Sequence, residues 1–259
     1  MLTSLQNPLV KQLRKLHRAK DRREQQLFLL EGTHLIEEAC AIGFPLITVC
    51  YTETWQHQHS DLLQKIQAER IELVSPEVLK SIATTVEPDG IVATAARFHT
   101  DFVEIKQFGL VLETIQDPGN LGTIIRTAAA AGVEGLWLSQ DCVDLDNPKV
   151  LRSSAGQWFR LPMRVQADLT AQIERAKAMG MQVIATTPTA TRSYWDVDFH
   201  QPSLILIGNE GAGLSPQLKN LADVEVTIPL AVGVESLNVA IATALILYEA
   251  RRQIRIQTD

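Results

Sequence analysis

The 259-residue chain is short of several things, and each shortage narrows what it can do. Only three cysteines are present, Cys40, Cys50 and Cys142, with no CxxC pair among them. They cannot pair completely and lack zinc-site spacing, so a reducing, cytoplasmic address is expected. The six histidines are scattered (His17, His34, His57, His59, His99, His200); only His57 and His59 lie close together, and no metal is expected. No apolar run approaches the ~20 residues of a membrane span. The longest candidate, Leu237 to Tyr248, is interrupted by Asn238 and Thr243. The opening MLTSLQNPLVKQLRKLHRAK is basic without a signal-peptide apolar core, so export is not expected. Neither GxxxxGK[ST] nor GxGxxG occurs, which removes the motif basis for a P-loop nucleotidase or a dinucleotide oxidoreductase. Nor is there an excess of positive charge: the net charge of −6 argues against non-specific coating of nucleic acid. With 46% hydrophobic and 21% charged residues, the chain has ordinary globular composition, enough for one large or two small domains.

The charge distribution says more than the total. Lys11, Arg14, Lys15, Arg18, Lys20, Arg22 and Arg23 face a single acid, Asp21, between Val10 and Arg23. Such a run is either a solvated helix face or a phosphate-contacting patch on an otherwise acidic protein.

Residues 1–100 and 109–259 read as two domains joined by a linker at 101–108, with periodicity already weak from Arg97 onward. In the first, Leu9, Leu13 and Leu16 have helical spacing over Pro8 to Lys20. FLLEGTHLIEEACAIG predicts a strand, a glycine turn, Thr33 as N-cap and a helix ending at Gly43. Leu46–Tyr51, Ile71–Val74 and Ile91–Ala95 read as strands, separated by helices at 60–69 and 76–83, which makes a small α/β layer. The second part alternates more regularly. Strands are expected at Leu110–Leu112, Leu136–Ser139, near 162–165, and at Val183–Thr186, Leu204–Ile207 and Val224–Ile228. Helices are expected over Thr123–Ala131, near 148–154, over 169–179 and over Ser236–Gln253. That alternation predicts a largely parallel sheet covered on both faces, with ligands outside the carboxyl ends of its strands. Loops 114–122, 208–215 and 229–236 fall at those ends.

Each of these loops has a plain reading and a chemical one. QDPGNLGTIIRTAAAAG is either a capped helix with a surface arginine or a functional segment with Asn120 at the helix entrance and Arg126 six residues on, near the start of the helix. LILIGNEGAGLSPQL places Gly208, Gly211 and Gly213 directly after a buried strand, where glycine permits close backbone approach to a ligand. Glu210 in that loop would repel phosphate and suits hydroxyls, amines or a cationic cofactor. In IPLAVGVESLNVAIATALILYEARRQ, Ser236 reads as the start of the last helix, with first-turn amides free for a ligand, and Asn238 has no role as a cap.

Together, DPGNLGTIIRTA, IGNEGAGLS and IPL…VESLNVAIATALILYEARRQ resemble, in order and spacing, the motifs of the SpoU-type (TrmH-like) RNA ribose 2′-O-methyltransferases of the SPOUT superfamily. SLQNPLVKQLRKL and FLLEGTHLIEEA are similar to the substrate-binding N-terminal domain of many such enzymes, itself like a small ribosomal-protein RNA-binding fold; RSSAGQWFRLP fits the family's middle segment. Ala129 and Ala131 depart from the usual acidic or polar residue and aromatic, which affects helix packing more than chemistry.

The resemblance implies a C-terminal trefoil knot, an S-adenosylmethionine cofactor, a homodimer with active sites drawing on both subunits, and an RNA substrate. Ribosomal RNA is favoured, because members acting on tRNA are often shorter, and a tRNA substrate is the alternative. By motif matching, Thr186, Gly208, Asn209, Gly213, Ile228 and Leu237 would hold the cofactor. Asn120, Arg126, Glu210, Ser236 and Asn238 would form the catalytic set. Methyl transfer from a sulfonium needs alignment rather than a metal. A guanidinium rarely gives up its proton, so Arg126 is expected to grip the target phosphate and offset charge on the 2′-oxygen. Lys11, Arg14, Arg18, Arg22 and Arg23 are expected to contact RNA phosphates. A catalytically silent RNA-binding or ribosome-assembly factor on the same fold is the competing reading.

Overall fold

The computed structural model describes residues 1–97 and 104–254, so His99 and part of the expected linker lie outside the described residues. The chain divides into two compact units, Met1–Phe98 with Asp144–Phe159, and His99–Val143 with Arg160–Asp259.

The first unit opens with α1 (Pro8–Lys15) and α2 (Ala19–Gln25). Asn7 caps α1 through its side chain, accepting from the Leu9 amide at 2.9 Å, and Leu9, Val10 and Leu13 turn inward. The single helix expected over 8–20 is therefore two. Arg22 Nη1 donates to the carbonyls of Leu16 (3.0 Å) and His17 (3.2 Å), which a continuous helix would have spent on the next turn. There follow β1 (Leu27–Glu31), α3 (Thr33–Ala41), β2 (Leu46–Tyr51), α4 (Glu53–Gln58), α5 (Ser60–Lys65), β3 (Ala68–Leu73), α6 (Pro76–Ile82) and β4 (Ile91–Ala96). The sheet order is β1-β4-β2-β3, with β4 antiparallel to both neighbours and β2 parallel to β3. Thr33 is not the N-cap of α3. Gly32 takes that position at φ +99°, and the Thr33 amide and hydroxyl both donate to Asp89 Oδ2 at 2.7 Å, so a distant carboxylate stands in for the cap.

The second unit contains β5 (Phe108–Leu112), α7 (Pro118–Ala131) and β6 (Gly135–Ser139); the chain then leaves for α8 (Pro148–Ser153), which packs with the first unit. It returns through β7 (Met163–Gln166), α9 (Leu169–Ala178), β8 (Gln182–Thr186), β9 (Arg192–Ser193), β10 (Ser203–Ile207), α10 (Pro216–Lys219), β11 (Val224–Thr227) and α11 (Val239–Ile254). Every strand pairing is parallel, in the order β7-β6-β5-β10-β8-β11-β9. On one face Val111, Val183, Ala185, Leu204 and Leu206 pack with Ile173 and Ala176 of α9 and Leu218 of α10. Their alternates Leu110, Leu112, Ile184 and Ile205 are buried too, so both faces are covered. No helix among the described residues is long and apolar enough to cross a membrane.

The excursion of 144–159 into the first unit is held by charge as well as by apolar packing. Asp144 accepts from Arg22 Nη2 at 2.9 Å and Arg97 Nη2 at 3.3 Å, while Asp146 pairs with Arg97 Nε. Arg152 Nη1 meets the buried Glu31 carboxylate at 2.8 Å. Trp158 tilts against Phe28 at 5.2 Å between ring centroids. Arg22 therefore departs from the expected phosphate patch: it is 1% exposed and already paired, whereas Lys11, Arg14, Arg18 and Arg23 are exposed.

Removing one partner of a buried pair leaves the other desolvated and only partly compensated. Arg22→Met is expected to cost about 3 kcal/mol in urea unfolding, whereas Lys11→Gln should stay within about 0.5 kcal/mol. Equal effects would contradict this division between buried and surface cations.

Candidate cofactor and catalytic site

β5, β10, β8 and β11 are consecutive neighbours, so the segments leaving their carboxyl ends converge at one edge of the sheet. The chain reverses its winding direction between β5 and β10, the place where open parallel sheets bind ligands.

A cavity of about 630 Å³ opens there, within the range of small-molecule sites. Thr186, Gly208, Asn209, Gly213, Ile228 and Leu237 all line it, together with Glu210 and Ser236. Gly208 is needed sterically: a Cβ there would lie 2.2 Å from the Gly213 carbonyl carbon and the Leu214 amide nitrogen, both backbone atoms. The loop closes on itself through two bonds of 3.0 Å between the backbones of Asn209 and Gly213. Asn209 Oδ1 accepts from the amides of Gly211 and Ala212 at 2.9 Å, and its Nδ2 donates to the Thr114 carbonyl at 2.8 Å. Thr186 Oγ1 is buried without a hydrogen-bond partner, so a polar group stands ready beside the cavity. The carboxylates of Glu210 and Glu235, the unpaired Thr186 hydroxyl and apolar side chains such as Ile207, Leu230 and Leu237 line the cavity, which fits a cationic, polar-ended ligand such as a sulfonium nucleoside.

Glu210 does not point its charge at an anion. Its Oε1 accepts from the Asp117 amide at 3.1 Å and from Asn120 Nδ2 at 3.2 Å, and Oε2 accepts from the Gln116 amide at 3.3 Å. Burial pushes its carboxyl up, but the hydrogen bonds from its own amide, Asp117, Asn120 and Gln116 outweigh it and hold it below the usual carboxylate range. These contacts thus persist above that range and weaken as the pH falls through the lowered value.

Two helix boundaries differ from expectation, and both bear on the site. α7 begins at Pro118 rather than Thr123, because Asp117 is its cap, accepting from the Asn120 amide at 2.8 Å. Asn120, expected at the helix entrance, therefore lies inside the first helical turn. α11 begins at Val239, not Ser236, and Asn238 is its cap: Oδ1 accepts from the amides of Ala240 (2.9 Å) and Ile241 (3.3 Å). Asn238 Nδ2 then donates to Asn120 Oδ1 at 2.9 Å. One residue caps a helix and joins a side-chain chain running Asn238–Asn120–Glu210. Arg126 is exposed on α7, about 9 Å farther along the axis at the helical rise, and does not line the cavity.

Residues 107–248 match the model of the SpoU rRNA methylase family, and residues 7–93 match an MRM3-like substrate-binding domain. The chain belongs to the SpoU rRNA methylase family. Among its SpoU relatives, an uncharacterized tRNA/rRNA methyltransferase of Synechocystis is 51% identical, covering 97% of this chain and 93% of its own. The 23S rRNA (guanosine(2553)-2′-O)-methyltransferase RlmP of Bacillus subtilis is 34% identical over 96% of this chain and 98% of its own. The SpoU methyltransferase AviRb of Streptomyces viridochromogenes, solved with the cofactor AdoMet, superposes with a TM-score of 0.88 at 32% identity, covering 98% of this chain and all of that one (100%). A structure described for 2-OH methylation of C/U34 on tRNA matches only 57% of this chain, though 96% of its own, with a TM-score of 0.52 at 31% identity.

Motif reading passed over Thr114, Gln116, Asp117 and Asp141, which hold the named residues from behind. The Asp-Pro pair at 117–118 is a legible signal for a helix start; Asp141, across a strand, has none.

Gly208→Ala should abolish measurable S-adenosylmethionine binding in calorimetry and cost about 1–3 kcal/mol of stability through forced overpacking. Normal affinity in that variant would mean the backbone crossing can relax.

Proposed function

We propose that this protein is an S-adenosylmethionine-dependent methyltransferase acting on a ribose 2′-hydroxyl of ribosomal RNA. The observation that carries the reading is the cavity at the strand ends, which gathers all six expected cofactor residues beside the Asn238–Asn120–Glu210 chain. Ribosomal RNA is preferred because the likeness to RlmP runs through both halves, whereas the likeness to the tRNA-directed structure is confined to about half of the chain.

When bound, S-adenosylmethionine supplies an electrophilic methyl group for in-line displacement. Thr186, Gly208, Asn209, Gly213, Ile228 and Leu237 hold the cofactor, and Gly208 lets the backbone close around it. Alignment of the 2′-oxygen dominates such a step. Asn120 and Asn238, each able to donate and accept, orient the ribose. Glu210 fixes Asn120 and the start of α7, and Ser236 completes the set from the cavity rim. Arg126 binds the target phosphate and offsets charge on the 2′-oxygen, and the proton leaves to phosphate, water or a neighbouring side chain. Lys11, Arg14, Arg18 and Arg23 give phosphate affinity, without Arg22.

The first unit is read as the RNA-binding domain, expected at 1–100, and the second as the catalytic domain, expected at 109–259. Ile105 is buried in the core of the second and Phe108 opens β5, so the linker expected at 101–108 ends earlier, and 144–159 contributes to the fold of the first. A trefoil knot in the second is what membership of the family implies; the loop residues 207–213, 227–230 and 234–237 share one cavity with Val239 and Ala242 of α11, as such a fold requires. A homodimer is supported by Ile241, Leu245 and Tyr248, a helical stripe left 39–52% exposed on α11. Three free cysteines suit a cytoplasmic protein.

The deciding experiment is transfer of labelled methyl from S-adenosylmethionine to rRNA, ribosomal particles and tRNA lacking the modification, followed by digestion to nucleosides. A 2′-O-methylnucleoside from rRNA or particles is expected; labelled tRNA alone would move the substrate. No transfer to any of these RNAs together with no cofactor binding would contradict the enzymatic reading and favour the silent RNA-binding factor. Arg126→Lys is expected to lose at least about tenfold in kcat through misalignment, and near-full activity across the pH range would refute the bidentate clamp. Replacing Lys11, Arg14, Arg18 and Arg23 by Gln should weaken RNA binding and flatten its salt dependence, with unchanged low-salt affinity counting against the patch.

A further inference from the structure

Thr114 adopts φ +56°, the left-handed region that a β-branched residue rarely enters. Three contacts hold it there. Its amide donates to Ser139 Oγ at 2.8 Å, its hydroxyl donates to Asp141 Oδ2 at 2.6 Å, and Ser139 Oγ donates in turn to Asp141 Oδ1. Gln116 Nε2 also donates to the Asp141 carbonyl, and the Val143 amide donates to the Ile115 carbonyl at 2.8 Å, so the segment after β6 braces the whole turn after β5. The strained backbone aims the Thr114 carbonyl at Asn209 Nδ2, 2.8 Å away. Asn209 is the residue whose Oδ1 shapes the cavity loop through the amides of Gly211 and Ala212.

We infer that Thr114 and Asp141 are positioning residues: Asp141 clamps Thr114 in its left-handed conformation, and the Thr114 carbonyl sets the Asn209–Gly213 loop for cofactor binding. Neither side chain lines the cavity. Their role is exerted through Asn209, and it rests on the reading of that cavity as the cofactor site. A residue kept in a sparsely populated conformation beside a site, with its neighbours arranged to hold it, is strain held where pre-organisation is useful. Glycine would enter this conformation freely but would not be confined to it, and it offers no hydroxyl to Asp141. Asparagine tolerates the left-handed region and can still donate to the carboxylate.

The test compares Thr114→Gly, Thr114→Asn, Asp141→Ala and the Gly/Ala double variant in the full-length protein. Hydrogen exchange at the Gly211 and Ala212 amides, S-adenosylmethionine affinity by calorimetry, Tm and kcat are read for each. Thr114→Gly and Asp141→Ala should each accelerate that exchange and weaken cofactor affinity by about fivefold, the worth of one hydrogen bond. Tm should stay within about 2 °C, since strain relief offsets the lost bond. Thr114→Asn should match the wild type, and the double variant should be no worse than either single one, because the two residues act through one path. Wild-type exchange at Gly211 and Ala212 in Asp141→Ala, additive effects in the double variant, or losses that merely track a falling Tm would each overturn the relay. Should Thr114→Gly fail to fold, Asp141→Ala and Thr114→Asn decide the question by the same readings. If the wild-type protein methylates no RNA, the proposed function fails while the exchange rates, which need no ligand, still decide the relay.

Discussion

The site depends on one carboxylate bonded across two strand ends. Glu210 leaves β10 and receives the amides of Gln116 and Asp117 and the side chain of Asn120 at the start of α7. A helix start has unsatisfied amides and a partial positive charge, and a carboxylate answers both. Asp117 caps α7 from within the chain, and Glu210 reaches it from 93 residues away. Those bonds bring the glycine-rich loop to the first turn of α7, and through Asn120 they bring Asn238 and the start of α11 to the same place. Without Glu210 the glycine-rich loop would lose its bonds to the first turn of α7, leaving Asn209 to tie it to the turn after β5.

The parallel sheet supplies the frame on which this works. Its central strands are buried on both faces, so their positions are set by packing, and the loops at their carboxyl ends are free to carry chemistry. Gly208 marks the closest approach of backbone to backbone, where even a methyl group has no room. The polar bonds then order what the sheet has brought near: Asn209 folds its own loop, Glu210 ties it to α7, and Asn238 does the work of a helix cap and of a contact to Asn120 at once.

The first unit shows the same division between packing and charge. Its core is completed by residues 144–159, which bring Trp158 to Phe28 and two aspartates to Arg22 and Arg97. A cation in a basic run is normally solvated, but Arg22 lies on the inward face of α2 and also ends α1 by taking the carbonyls of Leu16 and His17. The run from Lys11 to Arg23 thus holds two kinds of cation: exposed ones available to phosphate and one committed to the fold.

By itself the sequence determined the alternation of strands and helices, because a period of two or of 3.6 in apolar residues is a local property, and strand Leu46–Tyr51 falls where its pattern places it. It also marked the residues around the cavity, since Gly208, Asn209 and Glu210 lie in one short motif with its own steric logic. Tertiary structure alone decided where the functional helices start and which residue caps them, and which arginine of a basic run is buried. Ser236 reads as the start of the last helix and Asn238 does not read as a cap, yet Asn238 takes the cap and bonds to Asn120. Thr33 reads as a cap until Asp89, 56 residues onward, supplies the oxygen instead. Thr114 and Asp141 carry no motif at all. Their significance comes from a backbone conformation and a carboxylate meeting across 27 residues, and such long-range pairings are absent from any local pattern.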